Sequence, residues 1–226
     1  MYKYETHLHT APVSRCASAD VETTLRYYKD LGYDGVFITN HFLDGNFDYD
    51  EEKSYKENVE RNFSDYEKGV EIGKELGIKV FFGCEINYGG TEFLVYGLDK
   101  EWFIVHPEYM DMIMEDKLNL LKENGAFIIQ AHPFREANYI YHLRLYPRHV
   151  HGVEALNANR HTEENDMAKI YAEHYGLLCI AGSDNHSGPN QKKLAGICCE
   201  EPICSVEDFI EKVKTEKTKI FTFKSE

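Results

Sequence analysis

His7 and His9 stand one residue apart in the run Tyr4-Glu5-Thr6-His7-Leu8-His9-Thr10. Alternate residues of a strand project from the same face, so the two imidazoles can converge on one cation, whereas consecutive histidines point to opposite faces. Alone, such a pair is equally what a wet strand face carries. Its weight comes from further ligand-type residues placed where apolar runs stop: Asn40-His41, Cys84-Glu85, Ala131-His132, Val153-Glu154 and Asp184-Asn185-His186.

The elements that must position these residues follow from periodicity. Residues 35–39, 79–84, 126–130, 152–156 and 177–181 are apolar runs of the kind buried in parallel sheets. Between them lie helical patterns. Asp20 caps one in which Val21, Leu25 and Tyr28 share a face up to Gly32, and another covers residues 63–76 before Gly77. Met110, Ile113, Met114, Leu118 and Leu121 make a stripe ending at Asn124-Gly125, and Thr162 caps a helix carrying Met167, Ile170, Tyr171 and His174. A run at 195–199, a helix over 205–215 and a strand over 219–223 close the chain. Two segments break the alternation: Tyr88-Gly89-Gly90-Thr91 turns a hairpin into residues 92–96, and residues 42–58, rich in Asp, Gly, Asn and Tyr, read as a long surface loop rimming a site.

Strand-then-helix alternation implies parallel strands with helices outside. Ligand types at the ends of six strands imply a closed β/α barrel, in which those ends meet on one face. A doubly wound open sheet gathers ligands at one crevice and fits less well.

Composition narrows the partners. A chain of 226 residues forms one sizeable domain, 1–226, and its net charge of −14 works against long nucleic acid and anionic membranes. A small phosphorylated substrate stays compatible, because bound cations reverse the field locally. No apolar stretch approaches the ~20 residues of a membrane helix, and Met1-Tyr2-Lys3-Tyr4-Glu5 lacks the core of a signal peptide, so a cytoplasmic location is expected. Cys16, Cys84, Cys179, Cys198, Cys199 and Cys204 are expected to be reduced thiols, mostly in the core, and without a Cys-x-x-Cys pair the last three do not suggest a zinc site. His142, His149 and His151 read as surface residues, His174 as a helix-face residue. There is no Gly-x-Ser-x-Gly elbow and no Gly-rich phosphate loop, which leaves metal chemistry. Oligomeric state is not encoded.

His7-x-His9, Thr39-Asn40-His41, Gly83-Cys84-Glu85-Ile86, Ala131-His132-Pro133 and Ser183-Asp184-Asn185-His186, in this order along nearly the whole chain, resemble the polymerase and histidinol phosphatase (PHP) superfamily. The resemblance implies an α/β fold of PHP type, a distorted TIM-like (β/α)7 barrel, with two or three divalent metals and phosphoesterase activity. It implies that His7, His9, Glu85 and Asp184 hold a first metal, that Glu85 bridges to a second bound by His132, and that His41 and His186 hold a third. Nitrogen and carboxylate ligands together suit Zn²⁺, Mn²⁺ or Fe²⁺ better than Mg²⁺. This chain departs from the family pattern at three places. Arg15 stands where a metal-binding His or Asp is common, and Asn40 where an Asp precedes the histidine. No histidine follows the bridging glutamate, which leaves Glu92, His106 or Glu154 as the second metal's remaining ligand.

The chemistry that follows is hydrolysis: paired cations lower the pKa of water to give a hydroxide and neutralise charge growing on a phosphoryl group. Asp184, His132 and Arg15 are the residues expected to serve catalysis. Arg15, Arg135 and Arg160, each just past a strand end, are expected to hold the substrate, because a guanidinium matches phosphate oxygens; solvent-facing arginine is the alternative. The leading expectation is a phosphoesterase of a small phosphorylated metabolite or short nucleotide, histidinol phosphate being one candidate. The alternatives are an amidohydrolase-like enzyme acting on a non-phosphate substrate, or a non-catalytic metal- or phosphate-binding regulator, the latter motivated by Arg15 and Asn40.

Overall fold

The apolar runs become strands in a computed structural model that describes residues 1–224. In chain order the elements are β1 (Tyr2–Leu8), α1 (Val21–Asp30), β2 (Gly35–Ile38), α2 (Tyr55–Leu76), β3 (Lys79–Phe82), β4 (Cys84–Tyr88), β5 (Thr91–Tyr96), α3 (Lys100–Val105) and α4 (Met114–Glu123). There follow β6 (Phe127–Ala131), β7 (Gly152–Asn157), α5 (Thr162–Tyr175), β8 (Leu178–Gly182), β9 (Lys193–Cys199), α6 (Val206–Lys214) and β10 (Thr218–Lys224). Among the described residues no helix is long and apolar enough to cross a membrane.

The strands make two five-stranded sheets, ordered β10-β9-β1-β2-β3 and β4-β5-β6-β7-β8. This is a mixed α/β fold, and no closed seven-stranded barrel forms among the described residues. Two features divert the alternation from a barrel. The β4–β5 hairpin makes β5 antiparallel to both neighbours, and β9 runs antiparallel to β1 and β10. The hairpin follows from Gly89 and Gly90, whose φ values of +56° and +87° are those of a tight turn between twisted strands. The chain crosses from one sheet to the other at Gly83, where a Cβ would meet Thr39 and Tyr96 at 2.9 Å. Isolated parallel bridges, Leu8 to Asn185 and His41 to Glu85, stitch the two sheets together at two seams. Both seams run through residues that the sequence marks as ligand-bearing.

Beneath the seams, Tyr4 and Phe37 of one sheet pack with Tyr96 and Phe127 of the other and with Phe209 of α6. Tyr96 Oη donates to the Thr6 carbonyl at 2.8 Å, so the one polar atom of that ring ties the sheets together.

Several local features differ from the sequence expectation. α2 begins at Tyr55, not near residue 63, because Ser54 and Glu57 form a capping box. The preceding loop is therefore shorter, and Phe42, Leu43 and Phe47 bury it against Phe63 and Phe103 rather than leaving it on the surface. The stripe before Gly125 is split: α4 starts at Met114, and Ile113 is exposed. His161, not Thr162, caps α5, which buries Ala168, Tyr171 and Ala172 while Met167 and Ile170 face outward. All six cysteines are free, but only Cys84 and Cys199 are buried. His151 is half-buried, accepts the Ile128 N–H at 3.1 Å, and is pushed by burial down to about 4.

β9 reaches β1 only through a small residue: a Cβ on Gly196 would lie 2.3 Å from the Tyr4 carbonyl oxygen. Gly196→Ala is expected to lower stability by about 1–3 kcal/mol, as overpacking does, read as a shift in the denaturant midpoint at constant m-value.

Candidate metal centre

β1 and the residue after it present His7 and His9, and the surrounding hydrogen bonds fix which ring nitrogen carries the proton. His7 Nδ1 lies 2.9 Å from Glu154 Oε1, a carboxylate that can only accept, so Nδ1 carries the proton. Ser14 Oγ donates to Asn40 Oδ1 at 2.9 Å and accepts the His41 N–H at 3.0 Å. Its remaining contact, 3.0 Å from His9 Nδ1, must then be one it accepts. His186 Nδ1 donates to the Asp184 carbonyl at 3.0 Å. In its neutral form each of these three rings keeps its lone pair on Nε2. The His7 and His9 Nε2 atoms are 3.1 Å apart in a fully buried place.

Glu85 sits among the rings. Its Oε1 is 3.3 Å from His7 Nε2 and 3.3 Å from His132 Nε2, and its Oε2 is 3.3 Å from His9 Nε2 and 3.0 Å from His41 Nδ1. Asp184 Oδ1 is 3.6 Å from both His7 and His9. Glu92 Oε2 is 3.4 Å from His132 Nε2 and accepts from Arg135 Nη1 at 2.8 Å. Glu85 Oε1 and His41 Nδ1 are buried without a hydrogen-bond partner, although other polar atoms crowd them. Converging ring nitrogens, an orphaned carboxylate oxygen and ring nitrogen, and a mixed nitrogen–carboxylate set are what a bound cation resolves, and the residues fit divalent metal. Donor atoms of His7, His9 and Asp184 lie within 4.8 Å of one another; so do those of His7, Glu85 and His132, of His41, Glu85 and Glu92, and of His9, His41 and His186.

The electrostatics are those of a compensated buried cluster. Burial opposes a charge on His7, but Glu154, Glu85 and Asp184 outweigh it and raise its pKa well above the ordinary range. His9 is held well below that range by burial and by its neighbours His186 and His41. Against the pull of burial, His7 and His41 hold Glu85 well below the carboxylate range, and His7, His132 and His186 do the same for Asp184.

The framework explains the placement. Glu5, fully buried and pushed by burial up to about 7, accepts from the His7 N–H at 2.8 Å, the Ser183 N–H at 2.9 Å and Tyr28 Oη at 2.8 Å. It pins β1 to the end of β8. Glu154 Oε2 accepts the His132 N–H at 3.1 Å and Asn157 Nδ2 at 2.9 Å, so one carboxylate orients two ligands. Asn40 binds the Thr10 N–H through Oδ1 at 2.7 Å and fixes Ser14, which shows what the amide does where a carboxylate is common. His132 and Asp184 have φ of +25° and +51°, a region that non-glycine residues enter at a cost and keep mainly at functional sites.

His7, His9, His41, Glu85, His132, Asp184 and His186 are thus brought together. Of the three residues left open for the second metal, Glu92 lies in the cluster, Glu154 stands behind His7, and His106 lies outside it, paired with Glu108 at 2.8 Å. Above the cluster opens a cavity of about 690 Å³ whose walls include Arg135, Arg144, Tyr139, Tyr141 and Cys16. Arg15 is exposed and Arg160 half-buried, and neither side chain is among those that line it. Sequence spacing misses Arg144, which follows no strand end, and Cys16, one residue past the expected ligand position. Burial raises the Cys16 thiol, but His186 and His41 bring it down to about 6.

A family model, PHP_C, described as PHP-associated, matches residues 162–189. No curated protein matches the chain by sequence. Among solved structures, a two-domain protein from Bacteroides vulgatus containing a predicted PHP-like metal-dependent phosphoesterase superposes with a TM-score of 0.68 at 17% identity, over 99% of this chain and 65% of that one. The present chain therefore spans just under two-thirds of that protein's length. A proposed metal-dependent phosphoesterase from Bifidobacterium adolescentis gives 0.57 at 13% identity, over 92% and 94% of the two chains. An amidohydrolase from Chromobacterium violaceum, with bound sulfate and no metal, gives 0.56 at 12% identity, over 96% and 97%. The matched segment covers α5, β8 and the Asp184–His186 turn, and the fold is shared along the chain.

Glu85→Gln removes the negative charge that four histidines share, and metal content per chain, measured by elemental analysis, is expected to fall; His149→Ala, on a ring that meets Asn119 away from the cluster, is expected to leave it unchanged. Glu154→Gln keeps one acceptor oxygen where two now serve, so an amide N–H must face either the His7 Nδ1–H or the His132 N–H and Asn157 Nδ2, and metal affinity measured by chelator competition is expected to drop roughly 10–100-fold.

Proposed function

We propose that this chain belongs to the PHP superfamily and is a metal-dependent phosphoesterase acting on a small phosphorylated metabolite or short nucleotide. The observation that carries the reading is the convergence of a buried histidine–carboxylate cluster with Arg135 and Arg144 in the wall of one cavity. In a chain of net charge −14, two arginines at the mouth of an acidic centre suit an anionic substrate.

His7, His9, Glu85 and Asp184 would hold one ion, Glu85 with His132 and Glu92 a second, and His41 and His186 a third, the candidates being Zn²⁺, Mn²⁺ or Fe²⁺. Bound there, divalent ions lower the pKa of water and neutralise charge growing on a phosphoryl group. The protein's own part is positioning. Glu154 and Ser14 keep the Nδ1 protons of His7 and His9 in place, so that both Nε2 atoms face inward. Arg135, held through Glu92 and through Tyr139 Oη at 2.6 Å, and Arg144 take the phosphate-binding role expected of Arg15 and Arg160. We read the two sheets, joined at both seams, as a distorted TIM-like (β/α)7 arrangement whose strand ends face this cavity.

A second reading is an amidohydrolase-like reaction on a non-phosphate substrate, favoured by the amidohydrolase of similar fold.

The test is turnover by the metal-loaded protein on a panel of phosphate monoesters, phosphodiesters and N-acyl compounds. Phosphate release is expected, and Arg144→Ala is expected to lower kcat/KM roughly 10–100-fold, the loss of a hydrogen bond to a charged group, with metal content retained. Turnover of N-acyl compounds alone selects the second reading. Metal binding with no turnover on any ester or amide overturns the enzymatic assignment.

A further inference from the structure

We propose that Cys16 is a metal ligand, its thiolate completing with His41 and His186 a nitrogen–sulfur site distinct in chemistry from the nitrogen–oxygen sites beside it. The inference rests on the metal-centre reading above and concerns which residue closes the third donor set.

The course of the loop between β1 and α1 supports it. The Arg15 N–H donates to the Asn46 carbonyl at 2.9 Å, on the loop that follows His41, and the Ser18 N–H donates to the His186 carbonyl at 2.7 Å. Residue 16 is thereby held between the segments that carry the two histidines. The Ala17 N–H donates to the Ser14 carbonyl at 3.0 Å, which turns the chain tightly at this point. Ser14 itself is fixed by His9, Asn40 and His41. The Cys16 thiol lines the same cavity as His41 and His186, whose rings act on it electrostatically.

The second observation is His41. The residue is 5% exposed, and its Nδ1 has no hydrogen-bond partner although Glu85 Oε2 is 3.0 Å away, so the two groups are crowded without hydrogen-bond geometry. His186 donates from Nδ1 to the Asp184 carbonyl and keeps Nε2 free. Donor atoms of His9, His41 and His186 lie within 4.8 Å of one another, and His9 is already committed with His7. That leaves His41 and His186 one ligand short of a closed set, and Cys16 lines the cavity they share.

Sulfur changes which ion the site takes. Two imidazoles and a thiolate are a zinc-type set, whereas oxygen-rich sets suit Mn²⁺ and Mg²⁺. As the metal–sulfur bond forms, the thiol releases its proton to solvent, and the site gains one negative charge.

Cobalt(II) reports sulfur ligation directly. The chain, stripped with chelator and reloaded with Co²⁺, is expected to show a thiolate-to-cobalt charge-transfer band in the near ultraviolet. The band should persist in Cys179→Ser, whose cysteine is exposed on β8, and be lost in both Cys16→Ser and Cys16→Ala together with one metal ion per chain. On the unaltered protein, zinc loading is expected to remove one fast-reacting thiol from an Ellman titration, and chelator to restore it. Cobalt bound with visible d–d bands but no charge-transfer band, or a band unchanged in Cys16→Ser, overturns the proposal while leaving the metal centre standing. A folded chain that binds no cobalt overturns both.

Discussion

The structure depends on a carboxylate buried between two sheets. Glu85 is 1% exposed, and an isolated carboxylate at that depth is too costly to persist ionised. Four imidazoles make it tenable: His7 from β1, His9 just past its end, His41 from beyond the end of β2 and His132 from the end of β6. Because those rings come from both sheets, the charge cannot be compensated unless the sheets meet. The bridge between His41 and Glu85 lies along the same seam. Fold closure and site assembly are one electrostatic problem here.

The framework around that charge is built to leave it little freedom. Each ring with an assigned tautomer spends Nδ1 on a partner of the scaffold, a carboxylate, a hydroxyl or a backbone carbonyl, and turns Nε2 inward. Such outer partners fix ring orientation and raise ligand basicity. His132 and Asp184 also sit at positive φ, a strain on the order of 1–3 kcal/mol each, held by the Glu154 and Asn157 contacts next to them. Below, the aromatic floor of Tyr4, Phe37, Tyr96, Phe127 and Phe209 supplies the packing that offsets such strain.

The upper side is less regular. Residues 135–149 carry no helix or strand, yet they supply Arg135, Tyr139, Tyr141 and Arg144 to the cavity. Arg135 lies over the Tyr139 ring at 5.6 Å and Arg144 over Tyr88 at 5.6 Å, so aromatic faces orient both guanidinium groups. The site thus joins a rigid donor cluster to a wall made by a loop, the arrangement by which one scaffold accommodates different substrates.

Much of this was legible in the chain. Apolar runs ending in His, Glu or Asp placed the donors on strand ends, Gly89-Gly90 announced the hairpin, and Asp20 with Val21, Leu25 and Tyr28 announced α1, because each rests on contacts between residues close in sequence. The Ser54–Glu57 capping box was equally local and marks the true start of α2. What periodicity could not decide was which distant groups meet. Glu92, Glu154 and His106 were all open as ligands, and only pairing of β5 with β6 brings Glu92 opposite Ala131, next to His132, while β7 sets Glu154 behind His7. Arg15 and Cys16 are adjacent in sequence, and the hydrogen bonds of residues 15 and 18 to Asn46 and His186 determine that the thiol, not the guanidinium, faces the cavity. Residue type and spacing determined that this chain would gather metal-binding groups. The burial of Glu85 and the long-range hydrogen bonds around it decided which groups, because those energies exist only once the two sheets have closed on each other.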